Sequence, residues 1–257
     1  MRVRGHAPAT PCWTELSSPD PEAAISFYTG LFGWTARPNG SGATVFLSRD
    51  LTATGVVRGA DGMPATWLTY FATEDVAATV ESAVTAGGTV LRPVTEVGDL
   101  GRAALVADAE GAVFGLWQRG TFVGTQVVNE ANAVCWIELS TRDTAGAADF
   151  YGKVFGWTEK KSELGGGHDY REWIVHSRAI GGMLPMDESY PAEIPAHWRT
   201  TIEVDDCAAV VERGRALGGQ VAFGPMDVGV GTYAQFLDPQ GATFGVIEVI
   251  PELRLAP

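Results

Sequence analysis

A stretch of 23 residues occurs twice in this chain, at a constant offset of 123 positions. The first copy reads CWTELSSPDPEAAISFYTGLFGW and begins at Cys12, and the second reads CWIELSTRDTAGAADFYGKVFGW and begins at Cys135. Twelve of the 23 aligned residues are identical, and the alignment needs no gap. Repetition of this density indicates a duplicated unit, so the two halves are predicted to share one fold.

Each copy changes from a strand-like to a helix-like spacing. In the second copy Trp136, Glu138 and Ser140 alternate with apolar residues, which predicts a strand with two distinct faces. Asp143 then supplies a helix N-cap, and the apolar residues after it recur at i, i+3, i+4 and i+7. Gly156 is suited to end that helix. The pattern therefore predicts a strand followed by an amphipathic helix.

The first copy predicts the same two elements, with Trp13 and Glu15 on the strand face that points away from the helix. Leu16 and its equivalent Leu139 fall on the other face, so both leucines are expected beneath the helices. A face that combines an indole, a carboxylate and a hydroxyl is typical of a ligand cavity rather than of a dry core.

Composition restricts the class of protein and its partners. The net charge of −13 argues against nucleic acid and anionic membrane surfaces as partners, since phosphate binding needs clustered cations. No apolar run is long enough to span a bilayer, and no secretory signal is recognisable, so a cytoplasmic location is expected. Three cysteines form no disulfide framework, and Cys12 and Cys135 are expected as small buried residues on the helix side. A homodimer is compatible with the sequence.

A second, divergent unit follows in each half. Residues 67–71 and 198–204 have strand character, and Asp75 and Asp206 are placed to cap the helices that come next. Further strand patterns follow each helix, so the elements read βαβββ four times. The fold class is therefore α+β, with tandem βαβββ modules. The predicted organisation is a first domain at 9–118, a linker at 119–132 and a second domain at 133–250.

Four βαβββ units in two pairs, together with the Cys-Trp-x-Glu-Leu and Phe-Gly-Leu-Trp patterns, resemble the vicinal-oxygen-chelate superfamily. This superfamily includes glyoxalase I, extradiol dioxygenases and bleomycin-resistance proteins. The chain is similar in particular to two-domain actinobacterial glyoxalase-like proteins of the hydroxylase type, some of which belong to antibiotic pathways. The resemblance covers nearly the whole chain and implies two glyoxalase-like, cup-shaped domains.

The resemblance also implies where a metal would be held in the superfamily's metal enzymes. The ligand positions correspond here to Trp13 and Trp136, Leu68 and Arg199, and Gly115 and Gly245. Divalent metals need imidazole, carboxylate or thiolate donors, and none of these residues offers one. No metal site and no other cofactor are therefore expected.

The candidate site combines two strands of the second half. His197, Arg199, Thr201 and Glu203 alternate on one strand face and can share a cavity with Trp136 and Glu138. In the first half the corresponding strand offers no cation, so that cup is expected to be more apolar. The residues predicted to bind a ligand are Trp136, Ser140, Arg199, Thr201, Glu203, Trp13 and Glu15, and the catalytic candidates are Glu138 and His197.

Several of these residues also have a purely structural interpretation, which the sequence leaves open. The glutamates could be structural carboxylates, the tryptophans could fill space, and the charged strand could be an exposed edge. His176 is expected on a strand from 172 to 177 and could join the site. His168, after three glycines, could belong to a loop that closes over the second cup. His6 is assigned to an inert tail.

The function predicted from these features is metal-independent binding of a small molecule, as in bleomycin-resistance proteins. The ligand would be an aromatic or polyketide-like metabolite in secondary metabolism. The alternative is a glyoxalase-, lyase- or hydroxylase-type enzyme that uses acid–base residues of the second cup. An interaction protein with vestigial sites remains a third class, because one fold carries several functions.

Overall fold

The computed structural model describes residues 1–254, apart from residues 41, 61, 163–168 and 189. Its regular structure consists of two eight-stranded sheets and four α-helices, with a short 3-10 helix at Pro251–Leu253. None of the helices in this described part has the length and apolar character needed to cross a membrane.

The first sheet is built entirely from the first half of the chain. Its strands are β1 (Pro11–Ser18), β2 (Thr35–Pro38), β3 (Thr44–Ser48), β4 (Leu51–Arg58), β5 (Thr66–Ala72), β6 (Thr89–Glu96), β7 (Gly101–Ala107) and β8 (Val113–Arg119). They lie in the order β2-β3-β4-β1-β5-β8-β7-β6. Strand β1 pairs parallel with β4, β5 pairs parallel with β8, and the antiparallel contact of β1 with β5 joins the two modules.

The second sheet repeats this arrangement. Its strands are β9 (Ala133–Thr141), β10 (Thr158–Lys161), β11 (Arg171–Val175), β12 (Arg178–Pro185), β13 (His197–Glu203), β14 (Gln220–Asp227), β15 (Gly231–Leu237) and β16 (Thr243–Val249). The order β10-β11-β12-β9-β13-β16-β15-β14 is that of the first sheet, strand for strand. The predicted α+β class with four βαβββ modules is thereby confirmed.

The helices begin where the sequence indicated. They are α1 (Pro21–Phe32), α2 (Val76–Thr85), α3 (Thr144–Phe155) and α4 (Cys207–Ala216). The Asp20 and Asp143 carboxylates accept hydrogen bonds from backbone N–H groups in the first turns of α1 and α3. Gly33 and Gly156 end these helices with φ values of 69° and 71°, a conformation that glycine adopts without steric cost.

The helix-side faces of the two sheets pack against each other, and the apolar cores between them combine residues of both halves. The Tyr28 hydroxyl of α1 donates to Asp238 Oδ2 at 3.0 Å, and Tyr151 of α3 donates to Asp108 Oδ2 at the same distance. Burial raises the pKa of Asp108. Leu16 and Leu139 are fully buried on the helix side of β1 and β9, as predicted.

The two repeat cysteines lie at irregularities that the sequence did not reveal. The register of β1 with β5 shifts between Pro11 and Trp13, and β9 has the equivalent shift around Cys135. A β-bulge of this kind adds one residue and changes the direction of its side chain. The predicted helix-side location is therefore wrong for Cys12, which is buried as expected but packs with Trp13 in a separate apolar cluster.

Candidate functional site

The second sheet brings together most of the polar residues predicted for the second half. On adjacent strands β9 and β13, Arg199 lies opposite Glu138, Thr201 opposite Trp136, and His197 opposite Ser140. Residues directly opposite each other in an antiparallel pair share a sheet face. This face is the one opposite Leu139, and we refer to it as the second cup.

A buried ion pair forms the centre of the second cup. Arg199 Nη2 pairs with Glu138 Oε1, and the two side chains are only 8% and 14% exposed. Arg199 Nη1 also donates to Gln235 Oε1 at 3.1 Å. Burial alone would lower the pKa of Arg199, but the charge of the Glu138 carboxylate and its hydrogen bond to the guanidinium oppose this, so the pKa is raised and the guanidinium stays charged.

Among the residues that the structure describes, two donors that β13 and β15 contribute to this cup lack a partner. These are Arg199 Nε and the hydroxyl of Tyr233, both buried. Burial raises the pKa of Tyr233 to about 12, so its hydroxyl keeps its proton and remains a donor at neutral pH. Buried donors normally have acceptors. The two orphaned groups therefore indicate a place where an acceptor from outside the chain could bind.

An aromatic wall lies on the other side of the ion pair. Trp136 Nε1 donates to the Tyr170 hydroxyl at 2.8 Å, and Tyr170 is in turn within hydrogen-bonding reach of Glu138. Burial and the Glu138 carboxylate raise the pKa of Tyr170. A Cβ atom at Gly182 would lie 1.8 Å from the Tyr170 oxygen, so glycine is needed where this ring crosses β12.

His197 and Ser140 lie beside the ion pair. His197 Nδ1 is 2.9 Å from the Pro195 carbonyl oxygen, which can only accept, so Nδ1 carries the proton and Nε2 is an acceptor. Burial lowers the pKa of His197, which favours the neutral ring. The Ser140 hydroxyl is buried and, within the described part of the chain, has no hydrogen-bond partner.

Two predicted members of the site lie elsewhere. Glu203 was expected beside Arg199, but its Oε1 lies 3.7 Å from Arg254 Nε. Glu203 is the last residue of β13, beyond the bulge in β9, and the C-terminal segment reaches the sheet there. His176 is exposed in the turn between β11 and β12, with φ of 47°, and is not on a strand. His168 lies outside the described residues.

The N-terminal segment is also more ordered than the sequence suggested. His6 Nε2 bonds to the Thr125 carbonyl oxygen at 2.8 Å, and burial lowers the pKa of the ring. A cavity of about 350 Å³ lies beside His6, Cys12, Trp117 and Arg119, at the end of the first sheet. None of the unpartnered buried donors described above lines it, so the second cup remains the better candidate site.

The first cup has a different arrangement of charged and hydrogen-bonding groups. Glu15 accepts from the Tyr70 hydroxyl at 3.2 Å and from Trp13 Nε1 at 3.5 Å. Burial raises the pKa of Glu15, although these two hydrogen bonds oppose the shift. The expectation that this cup has no cation is wrong, because Arg92 Nη2 donates to the Tyr70 hydroxyl at 3.3 Å. Arg92 lies on the edge strand β6, whereas the expectation rested on the central strand β5 alone.

The first cup is also filled by its own side chains. Phe122, from the segment after β8, lies with its ring centre 5.0 Å from Trp13 and 5.9 Å from Trp117. These rings belong to an apolar cluster on the cup face that also contains Tyr70. Trp13 is consequently buried, whereas Trp136 remains half-buried. The second cup thus leaves its indole more exposed than the first does.

Sequence comparison agrees with this architecture. The sequence profile of the Glyoxalase/Bleomycin resistance protein/Dioxygenase superfamily matches residues 12–116 and 133–246. The chain belongs to this superfamily. It is 37% identical to "Putative glyoxylase CFP32" of Mycobacterium tuberculosis, over 95% of this chain and 96% of the relative. It is also 37% identical to the anthracycline biosynthesis protein DnrV of Streptomyces peucetius, over 95% of this chain and 94% of that protein.

Solved structures show the same fold at low sequence identity. The Mn(II)-bound glyoxalase from Novosphingobium aromaticivorans superposes with a TM-score of 0.64 at 16% identity, covering 99% of this chain and 86% of that one. The 2,3-dioxygenase LapB from Pseudomonas sp. KL28 gives a TM-score of 0.63 at 16% identity, with coverage of 98% and 97%. These two structures share the architecture of this chain, and a shared fold does not establish a shared function.

The residues at the superfamily's metal positions do not fit a divalent ion. A Cβ atom at Gly115 would lie 2.0 Å from the Tyr70 ring, and one at Gly245 would lie 2.7 Å from both Thr201 Oγ1 and the Tyr233 ring, so aromatic rings occupy the space of a carboxylate. Arg199 places a cation at a third position. Within the described residues, no three His, Cys, Asp or Glu side chains gather into a potential metal site.

Three residues of the second cup were not predicted from the sequence, namely Tyr170, Tyr233 and Gln235. A signal for two of them was present, because Tyr233 and Gln235 alternate on β15, in the same half as the charged strand β13. Tyr170 could not be found in this way, since it precedes β11 and reaches the cup only through the folded chain.

Proposed function

We propose that this protein binds a small, aromatic, oxygen-bearing molecule in its second cup, without a divalent metal. The observation that carries the proposal is the buried Arg199–Glu138 pair with unpartnered donors, Arg199 Nε and the Tyr233 hydroxyl, beside it. Within the superfamily, such a protein would act as a carrier, a resistance protein or a helper in secondary metabolism.

The unpartnered donors favour a ligand with acceptor oxygens. Leaving a buried donor without an acceptor costs about 1–3 kcal/mol, and more for a charged group. A carbonyl or phenolate oxygen placed between Arg199 and Tyr233 would recover this cost. The guanidinium suits that role because Glu138 and Gln235 already hold its other nitrogens and so fix its orientation.

The aromatic wall favours a planar ligand. Trp136 is held by Tyr170 and is still half-buried, so part of its ring surface is free to contact a ligand. The similarity to an anthracycline biosynthesis protein over nearly the whole chain supports the same class, since anthracyclines are aromatic polyketides with carbonyl and phenol oxygens.

The second candidate is acid–base catalysis by His197. Its support is a neutral ring with Nε2 as the acceptor, close to the ion pair. The other predicted catalytic residue, Glu138, already accepts from Arg199, which makes it a weak general base. The site therefore supports binding better than proton transfer.

Titration with quinizarin, a planar hydroxyquinone, tests the proposal. Tryptophan fluorescence should report saturable binding to the wild-type protein. The double variant Glu138→Leu/Arg199→Met removes both buried charges and should lose binding while keeping the fold. Trp136→Leu should weaken binding, and the matched control Trp13→Leu should have little effect.

Two outcomes would reject the proposed site. Either no saturable binding by the wild type, or equal losses in the Trp13 and Trp136 variants, would contradict a principal site in the second cup. Chemical conversion of quinizarin, monitored by chromatography, would instead favour the enzymatic alternative if the His197→Gln variant abolished it.

A further inference from the structure

The edge strand β14 carries two large apolar side chains that are unusually exposed. Phe223 is 49% exposed and Met226 is 45% exposed, although both belong to a sheet strand. Scattered apolar residues are normal on protein surfaces, but two that lie three positions apart on one strand form a local patch. We call this pair the apolar lip.

The apolar lip faces the same side of the sheet as the donors of the second cup. Phe223 pairs with Gln235, and Met226 pairs with Tyr233. Paired residues of antiparallel strands share a face, and Gln235 is on the cup face because it accepts from Arg199. The ring centres of Phe223 and Tyr233 are 6.4 Å apart. The lip therefore forms the rim of the second cup next to its unpartnered hydroxyl.

The first cup has no such lip. The equivalent residues on β6 are Arg92 and Thr95, which pair with Leu105 and Ala103. Arg92 is used inside the first cup, where it donates to the Tyr70 hydroxyl. Within the described residues, the apolar lip thus lies beside the cup in which Arg199 Nε and the Tyr233 hydroxyl lack partners.

Strand addition by another chain is a poor explanation for the exposed lip. Pro225 lies between the two lip residues and has no N–H to offer to a pairing strand. The register of β14 also shifts twice, on either side of Phe223. Bulges and proline are features that protect a sheet edge from pairing with another strand.

We propose that the apolar lip extends the second cup into a site for a fused-ring aromatic ketone or quinone, an inference that rests on the proposed function. One ring would place its oxygen between Arg199 and Tyr233. The remaining rings would extend past Tyr233 and cover Phe223 and Met226. The methionine can adapt its shape to a flat surface of this kind. The lip thereby selects fused-ring ligands over single-ring ones.

Two probes with the same hydroxy-ketone group test this selection. Quinizarin has three fused rings, whereas ortho-hydroxyacetophenone has one. Phe223→Ala and Met226→Ala should each weaken quinizarin binding about 5- to 30-fold. The same variants should change the affinity for hydroxyacetophenone by less than about twofold. Leu91→Ala is the matched control, because Leu91 is 53% exposed on the corresponding edge strand of the first sheet.

The outcomes separate this inference from the proposed function. If both probes bind in a manner that the Glu138→Leu/Arg199→Met variant abolishes, but the lip variants bind quinizarin normally, the lip inference is wrong and the proposed function stands. If neither probe binds the wild-type protein, both fall. A change in oligomeric state on gel filtration of the Phe223 variant, without a change in affinity, would mark the lip as an interface between copies and overturn the inference.

Discussion

Replacing Arg199 by alanine would leave the Glu138 carboxylate buried without its cation. The two side chains are 8% and 14% exposed, so water cannot easily replace the lost partner. Removing one member of a buried pair typically costs about 3–5 kcal/mol, because the remaining charge stays desolvated. We expect Arg199→Ala to lower the free energy of unfolding by an amount in this range.

The double variant Glu138→Leu/Arg199→Met separates the cost of an unpaired charge from the loss of packing. The double variant removes both charges and keeps apolar volume, so its free energy of unfolding should recover most of the loss caused by Arg199→Ala. The Gln235 amide and the Tyr170 hydroxyl each lose a partner, which leaves a deficit of about 1–2 kcal/mol.

Urea unfolding followed by circular dichroism would measure both variants. The control is Arg215→Ala, since Arg215 pairs with Glu212 on the surface of α4 with exposures of 54% and 74%. This exposed pair should contribute at most about 0.5 kcal/mol. If Arg199→Ala cost no more than this control, or if the double variant were less stable than Arg199→Ala, the reasoning about the second cup would be refuted.

Three further predictions concern other parts of the molecule. Leu139→Ala should cost about 2–5 kcal/mol in urea unfolding, whereas the exposed Leu91→Ala should change little, and equal effects would contradict the helix-side packing. Burial raises the folded-state pKa of Glu15, so the contribution of this group to stability is present below its unfolded-state pKa of about 4.3 and is lost as pH rises through the folded-state pKa. Glu15→Gln should therefore be stabilised relative to the wild type over that pH interval, whereas the exposed control Glu81→Gln should not. Elemental analysis of protein purified without added metal should show no stoichiometric zinc, iron, manganese or nickel, and a tightly bound ion would refute the metal-independent site.

The strand faces and helix ends followed from the sequence because they depend on local geometry. The alternation of Trp136, Glu138 and Ser140 needs only the period of a strand, and Asp143 caps α3 through a bond to a backbone N–H within the next few residues. The same local rule placed Arg199 on the face it occupies. The duplicated stretch then extended each assignment from one half to the other.

The partners of these residues depended on the tertiary structure. Strand order and register decide which side chains meet, and both are set by contacts between distant parts of the chain. Arg92 reaches the first cup from the far edge strand, and Arg254 reaches Glu203 from the C-terminal segment. The bulge at Cys12 changed the direction of one side chain with no local mark in the sequence, because the extra residue is defined only against the partner strand.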